Sequence, residues 1–562
     1  DGDYSNDFRV DRDAPARYHG GDWQGIIDHL DYLDDLGVTT LWITPVVKNI
    51  EEDAGIASYH GYWTQDFLST NPHFGDLAKL RELVDACHAR GIKVILDIVT
   101  NHVGQLFYYD INLNGRPDEA VYGDGVTSPL TRVTEYDPDF DPAGIQAFTS
   151  LGNAGPAPVR WIWDPAVNRV PPEPPEFANP DWYNKRGRIY DYGDPLQVVT
   201  GDFPGGLKDL DTTRDDVRAA LLDVFTYWIG AAGFDGFRID TVKHVEHEFW
   251  RGFCTGVRDY CASIGKEKFF MFGEAFDGDD ALIGSYTFDD ELDSVFYFSH
   301  KFRVVDDVFK WGSSPTSAIE TLFNERAVNY SGAPNAGDDG LPATRELVGF
   351  LDNHDVPRWL NGHPAADPTA ALRGVMSYLL TIDGIPCIYY GTEQELAGGN
   401  DPSNREDLWD TGYDTTGETF VHLRTLIRLR KAYTALRRGD MTIRWSTDRF
   451  PDSCAPMARC PDAGIFAFER SCSAASGCDP AADTTVLVVV NAEDDAGVTD
   501  ATALGFGAMA TSFPAGTALV NVLPDDDPAD AFTVGAGGTL SVPVPGRGAK
   551  ILVPAGAVVP IE

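Results

Sequence analysis

No apolar run in these 562 residues approaches the roughly 20 that a helix needs to span a bilayer, which excludes a membrane-spanning helix. Basic residues are scarce. The 44 Lys and Arg stand against 87 Asp and Glu, a formal charge of -43 that repels nucleic acid and anionic lipid and disfavours both as partners. Such an excess of carboxylates reads first as a surface that keeps a secreted chain soluble, including in salty surroundings that screen the repulsion. Cysteines are few, eight in all, and fall into two groups. Cys454, Cys460, Cys472 and Cys478 crowd a loop-rich stretch where one or two disulfides are expected, as in an oxidising compartment. Cys87 and Cys387 sit in apolar periodic segments as buried thiols, and Cys254 and Cys261 lie about 10 Å apart on one helix, too far to bridge. Neither a Met nor a signal-like apolar stretch opens the chain at Asp1, so any export signal is expected to have been removed or omitted.

What the sequence does contain is length, aromatic residues and a recurring rhythm. A chain of 562 residues exceeds what one hydrophobic core usually organises, and 43% hydrophobic with 12% aromatic residues reads as globular, in two or three domains. The runs at 38–46, "VTTLWITPV", and 93–99, "KVILDIV", are continuous, apolar and β-branched, as strands covered on both faces must be. Between them Leu77, Leu80, Val84 and Cys87 recur at helical spacing, and Gly91 stands where a left-handed cap belongs. The strand-helix rhythm returns before "FDGFRID", "FFMFGEA", "ELVGFLDNHD" and "IPCIYYG", which predicts a parallel sheet. So many units favour a closed (β/α)8 TIM barrel, with its polar rim at the C-terminal ends of the strands. From 104 to 205 the rhythm lapses into Gly, Pro, Asp and aromatic residues, read as a lobe inserted after the third strand. The expected division is barrel at 1–103 and 206–440, inserted lobe at 104–205, and a C-terminal antiparallel β-sandwich at 441–562, where short β-branched runs alternate with Gly, Pro and Asp.

The rim carries the chemistry. In "GFRIDTVKH" (236–244), Arg238 and Asp240 are two apart on a strand and project together, so the guanidinium would hold the carboxylate ionised and suit Asp240 to be a nucleophile. Glu274 ends the next strand, where Phe270, Phe272 and Phe276 would raise its pKa and make it a proton donor. Asp355 supplies a third acid. Singly, each has a plain explanation as a structural ion pair or a rim carboxylate. Together with His60, His102 and His354, which follow separate strands, they converge on one cleft. Two carboxylates flanking a bond, one ionised and one protonated, are the equipment of a glycosidase, and a separation of about 5–5.5 Å gives retention through a covalent intermediate. Tyr59, Tyr62 and Trp63 beside His60 suit the apolar faces of sugar rings, although Tyr59 and Trp63 are equally accounted for as core.

These motifs resemble the α-amylase family of glycoside hydrolases. "DIVTNH" (97–102), "LKDLD" (207–211), "GFRIDTVKH" (236–244), "GEAF" (273–276) and "FLDNHD" (350–355) occur in the family's order. The resemblance implies Asp240 as nucleophile, Glu274 as general acid/base and Asp355 as transition-state stabiliser. It places Arg238, His102 and His354 around the same sugar, Tyr62 stacked on it, Lys243 and His244 on the leaving-group side, and Asp401 and Arg405 further toward the non-reducing end. It also implies Ca2+, held by Asn101, Asp209 and the backbone carbonyl of His244, with a second site like that of cyclodextrin-forming relatives at Asp1, Asp3, Asn6, Asp7, Gly20 and Asp22. A third candidate follows from calcium-loop spacing in "DINLNGRPD": Asp110, Asn112, Asn114 and Asp118, with Val121 where the bidentate Glu would stand and a plain Asn/Gly turn as the alternative. Family members place their first barrel strand just before the "DGD" segment; its omission from this sequence is expected, because a missing parallel strand would expose two unpaired edges.

Hydrolase and cyclising transglycosylase share the same carboxylates and differ in whether water or a sugar hydroxyl attacks the intermediate. The cyclising relatives carry an aromatic residue four positions before the aspartate aligned with Asp209, where this chain has Gly205, and they generally continue beyond one β domain. Both features favour an α-1,4-glucan hydrolase acting on starch and maltooligosaccharides; a secreted monomer is expected. The "VKH" ending disfavours relatives specialised for α-1,6 links or short sugars, and three intact acids disfavour a non-catalytic glucan-binding protein.

Overall fold

In the computed structural model, which describes residues 13–561 apart from 54, 111–112, 114, 116–118, 123–130, 135–157, 190, 336, 338–339, 474–475 and 525–530, the apolar runs become strands of one parallel row. Its first five members are β1 (Thr40–Ile43), β2 (Lys93–Ile98), β3 (Gly236–Ile239), β4 (Phe270–Gly273) and β5 (Ser294–Val295), hydrogen-bonded in chain order. Phe296, just past β5, bridges in parallel to Val348 of β6 (Val348–Phe350), which pairs in parallel with β7 (Ile385–Cys387). The described residues thus give seven parallel strands, not the expected closed ring of eight, and β7 and β1 are not hydrogen-bonded to each other.

Helices cover the row because their apolar stripes match it. In α1 (Leu77–Ala89), Leu80, Leu83, Val84 and Cys87 are buried; Asp76 caps the first turn by accepting from the Lys79 amide, and Gly91 takes φ 74° just past the end. α2 (Asp215–Ala232) buries Leu221, Phe225 and Trp228 and stops at Gly233, whose φ of 85° only glycine adopts freely. α3 (His247–Ser263) follows β3, and both of its cysteines, Cys254 and Cys261, are buried and unpaired, as their spacing requires. Between Phe107 and Gly206 the chain makes an antiparallel pair, Val159–Trp161 with Phe107–Tyr109, and then short 3-10 turns that begin at Pro165, Pro175 and Pro180. Proline at the first helical position permits such a turn, and the density of prolines prevents its continuation.

The C-terminal part of the chain, from Asp440, carries a six-stranded antiparallel sheet. Its strands are β8 (Asp440–Trp445), β9 (Ile465–Ser471), β10 (Val486–Asn491), β11 (Ala518–Asn521), β12 (Ala531–Thr533) and β13 (Ala549–Pro554), in spatial order 8-9-10-13-11-12. Side chains alternate along it with period two. Phe466, Phe468, Val488 and Ile551 join the main core, while Ile465, Ala467, Leu487, Val489 and Leu552 form a second core under two short strand pairs. Burial on both faces explains why residues 486–490 of "TTVLVVVN" are continuously apolar. Buried Arg470 fastens this sheet to the parallel row, donating to Thr381 O at 2.7 Å and Gly439 O at 2.8 Å. Cys454–Cys460 and Cys472–Cys478 form two disulfides. No helix among the described residues is long and apolar enough to cross a membrane.

Candidate active site

The polar residues follow the strands as the sequence predicts. Asp240 is the first residue past β3, Glu274 the first past β4, and Asp355 follows β6 by five. Arg238, fully buried in β3, is the hub. Its Nη1 donates to Asp240 Oδ1 at 2.7 Å and to both oxygens of Asp97 at 3.0 and 3.1 Å, and its Nη2 lies 3.2 Å from Glu274 Oε2. The guanidinium also sits over the Trp42 ring, 5.3 Å from its centroid. Thr241 turns the chain after Asp240 through φ 50°, an expensive conformation for a β-branched residue, and so aims its N–H at Glu274 Oε2, 3.2 Å away. The neighbours of the Glu274 carboxyl are therefore a cation and an amide in place of the expected aromatic backing: Phe276 instead packs on Phe298, and Phe270 on Phe272.

The contact between Arg238 and Asp240 stands, but its electrostatic consequence differs from the expectation. Burial pushes the Asp240 carboxyl well above the ordinary range; Arg238 opposes this, and the charges of Glu274, Asp97 and Asp355 add to the rise. Burial likewise raises Asp97 to about 6 against Arg238. Asp355 is raised chiefly by burial, while Arg238, Arg405 and a hydrogen bond with Glu274 draw it down.

Around the acids stands a wall of neutral rings. Tyr62 OH donates to Asp97 Oδ2 at 2.7 Å and lies 2.9 Å from His354 Nε2, with the two rings parallel within 8°. His354 is also 3.2 Å from Asp355 Oδ2, and the His60 Nδ1 accepts from the Tyr62 amide. Burial keeps His60 and His354 neutral and lowers His102 to about 3. Trp63 packs its ring on His60 and on the core. Further out, Arg405 pairs with Asp401 at 2.6 Å and lies over the Tyr59 ring, and Lys243 meets Asp277 and the Phe276 carbonyl. The His244 Nδ1 bonds to Val198 O at 2.8 Å, and its ring packs edge-on against Phe203. Asp97 and Trp42 are the participants that sequence reasoning missed. A carboxylate inside a strand covered on both faces was the available signal.

The candidate metal ligands divide. The Asn101 amide lies 3.0 Å from the His244 carbonyl oxygen and 3.3 Å from Asp209 Oδ1, all three residues being buried, and Asn184 donates to the other Asp209 oxygen at 2.7 Å. Asp110 accepts from Arg160 Nε at 2.9 Å and from the Gly115 amide five residues on, at 3.1 Å; Asn112, Asn114 and Asp118 lie outside the described residues. Asp22 accepts from the Gly25 amide as a helix cap, and Gly20 abuts the Trp409 ring so closely that a Cβ there would clash. Asp1, Asp3, Asn6 and Asp7 lie outside the described residues.

Comparison with known proteins agrees with this geometry. The family described as "Alpha amylase, catalytic domain" matches residues 1–418. An α-amylase of Streptomyces lividans is 29% identical over 96% of this chain and 57% of its own length. A β/α-amylase of Paenibacillus polymyxa is 31% identical over 80% of this chain and 31% of its own. The chain therefore spans from about a third to just over half the length of these curated relatives. Among solved structures, an Anoxybacillus α-amylase superposes with a TM-score of 0.69 at 26% identity, covering 99% of this chain and 95% of that one. A Geobacillus thermoleovorans α-amylase complexed with acarbose gives 0.68 at 25%, covering 97% and 94%.

Proposed function

The chain belongs to the α-amylase catalytic-domain family, and from that premise we propose that it is a secreted, retaining hydrolase of α-1,4-glucosidic bonds in starch and maltooligosaccharides. The observation that carries this reading is that the Asp240 and Glu274 carboxyls are held by the two terminal nitrogens of one guanidinium. So close a pair suits nucleophile and acid, whereas an inverting pair stands further apart to admit water between. Asp240 attacks the anomeric carbon while Glu274 gives its proton to the departing glycosidic oxygen. Glu274, now a base, then takes a proton from water, whose oxygen displaces Asp240 and restores both groups. Asp355 accepts hydrogen bonds from the sugar as positive charge develops at the anomeric carbon, Tyr62 and His354 pack on that sugar, and Asp401 with Arg405 grips the chain further toward the non-reducing end.

We read the seven strands, with helices outside, as most of an (β/α)8 barrel at 1–103 and 206–440, the segment 104–205 as its inserted lobe and 441–562 as the β-sandwich. The two disulfides support an oxidising, extracellular setting. The residues Asn101, Asp209 and His244 fit Ca2+: they bring an amide, a carboxylate and a carbonyl together, and no cationic side chain pairs with Asp209 among the described residues. When bound, the ion supplies positive charge that balances Asp209 and ties three chain segments together.

Incubation with soluble starch, following reducing ends and cyclic products, tests the reading. Linear maltooligosaccharides of retained α configuration are expected. Cyclodextrins would assign a transglycosylase instead, and no turnover a glucan-binding protein.

A further inference from the structure

Asn404 is completely buried, within the turn between Asp401 and Arg405, yet it makes no use of its oxygen: Oδ1 has no hydrogen-bond partner. Its Nδ2 does all the bonding, donating to His354 O at 2.9 Å, Val356 O at 3.0 Å and Asn353 O at 3.3 Å. These carbonyls bracket Asp355 on both sides. From the inner side the same turn is held by Asn353, whose Oδ1 accepts from the Asp355 amide at 2.8 Å and the Val356 amide at 3.1 Å. A buried amide that leaves its oxygen unpaired is retained for its donors, and here the donors reach only the backbone that carries the third acid.

The base of the Asp401–Arg405 loop is fixed independently. Glu406 Oε1 accepts from the Ala397 and Gly398 amides while its Oε2 meets Arg358 Nε at 3.0 Å, and Arg358 N donates to Gly398 O. Loop folding therefore does not account for Asn404. What it adds to the Arg358 contacts is a direct link at the acid itself, joining the turn that carries Asp401 and Arg405 to the one that carries His354 and Asp355.

We propose that Asn404 is a positioning residue that locks the Asp355 turn to the Asp401–Arg405 loop, so that the grip on a remote sugar unit sets the placement of the acid at the reacting one. The proposal rests on the glucan-hydrolase reading given above. Binding energy from a non-reacting part of a substrate raises kcat only if something carries it to the reacting centre, and a displacement of 1 Å there costs about 100-fold. Three hydrogen bonds from one rigid amide are suited to that task.

The test compares wild type with Asn404→Asp, which keeps the volume but sets carboxylate oxygens against three carbonyls, and with Asn404→Ser, which keeps one short donor, on soluble starch. Asn404→Asp is expected to lose about 10- to 100-fold in kcat with KM changed less than about threefold, and Asn404→Ser to lose less. Combined with Arg405→Ala, the losses should fall short of the product of the single effects, because both changes cut the same link. A kcat within about twofold of wild type in both Asn404 variants, a loss that merely tracks a lowered unfolding temperature, or losses that multiply independently with Arg405→Ala would overturn the proposal. Wild-type protein without turnover on any α-glucan would instead remove the underlying reading, and that result is visible before any variant is measured.

Discussion

Arg238 divides one positive charge among Asp97, Asp240 and Glu274, and it can do so because a guanidinium is a planar fork with five N–H donors. Lysine offers a point charge on a flexible stem. Arg238→Lys is therefore expected to lower kcat on starch by 100-fold or more while the protein stays folded, as circular dichroism would check; activity retained within tenfold would mean that the fork is not what arranges the acids. Far from the cleft, His300 is buried against Tyr297 and Tyr378, and burial with the nearby Arg326 charge lowers its pKa from 6.5 to about 3. The unfolded chain then binds a proton below pH 6.5 that the folded chain refuses, so this histidine's contribution is complete above 6.5 and is lost as the pH falls toward 3. Unfolding temperature should fall across that window, and His300→Gln should make the slope shallower. Residue-level reading from sequence paired Arg238 with Asp240 because strand alternation puts them on one side, and found Glu274 and Asp355 because they follow later strands; it missed Asp97, since the apolar run around that residue reads only as a covered strand.

At the scale of elements, the Asn101 amide, the Asp209 carboxyl and the His244 carbonyl come from the segment after β2, from the return of the 104–205 excursion, and from the turn after β3. A cation there would restrain all three. Chelation with EDTA is expected to lower the unfolding temperature and added Ca2+ to restore it, with a stabilisation of about 2.7 kcal/mol at a hundredfold excess over Kd. Asp209→Asn should abolish the response, and an equal midpoint with and without the chelator would remove calcium from the account. Long periodic elements such as α1 and α2 were legible because 13 and 18 residues repeat a pattern often enough to stand out. β5, two residues long, has no period to read, and the π-helical turn at Lys301–Lys310 keeps a helical apolar spacing while changing only the hydrogen-bond step. Ring closure was a count of repeats, and repeats say nothing about which edges meet.

For the molecule as a whole, the net charge of -43 is a term in stability as well as in solubility, because like charges spread over a compact surface repel. Screening shortens from about 10 Å at 0.1 M salt to about 3 Å at 1 M, so the unfolding temperature should rise by several degrees over that range of NaCl. A midpoint indifferent to salt would show that the carboxylates are already compensated locally, through pairs such as Arg449 with Asp462. The C-terminal sheet bears on the integrity of the whole chain. Tyr378, on the helix before β7, packs against Phe466, and Val488 and Ile551 belong to the same core, so the C-terminal sheet forms one bank of the parallel row's own interior. A protease nick near Gly439 would thus leave no tidy minimal enzyme, only a greasy scar that drives the remainder to clump.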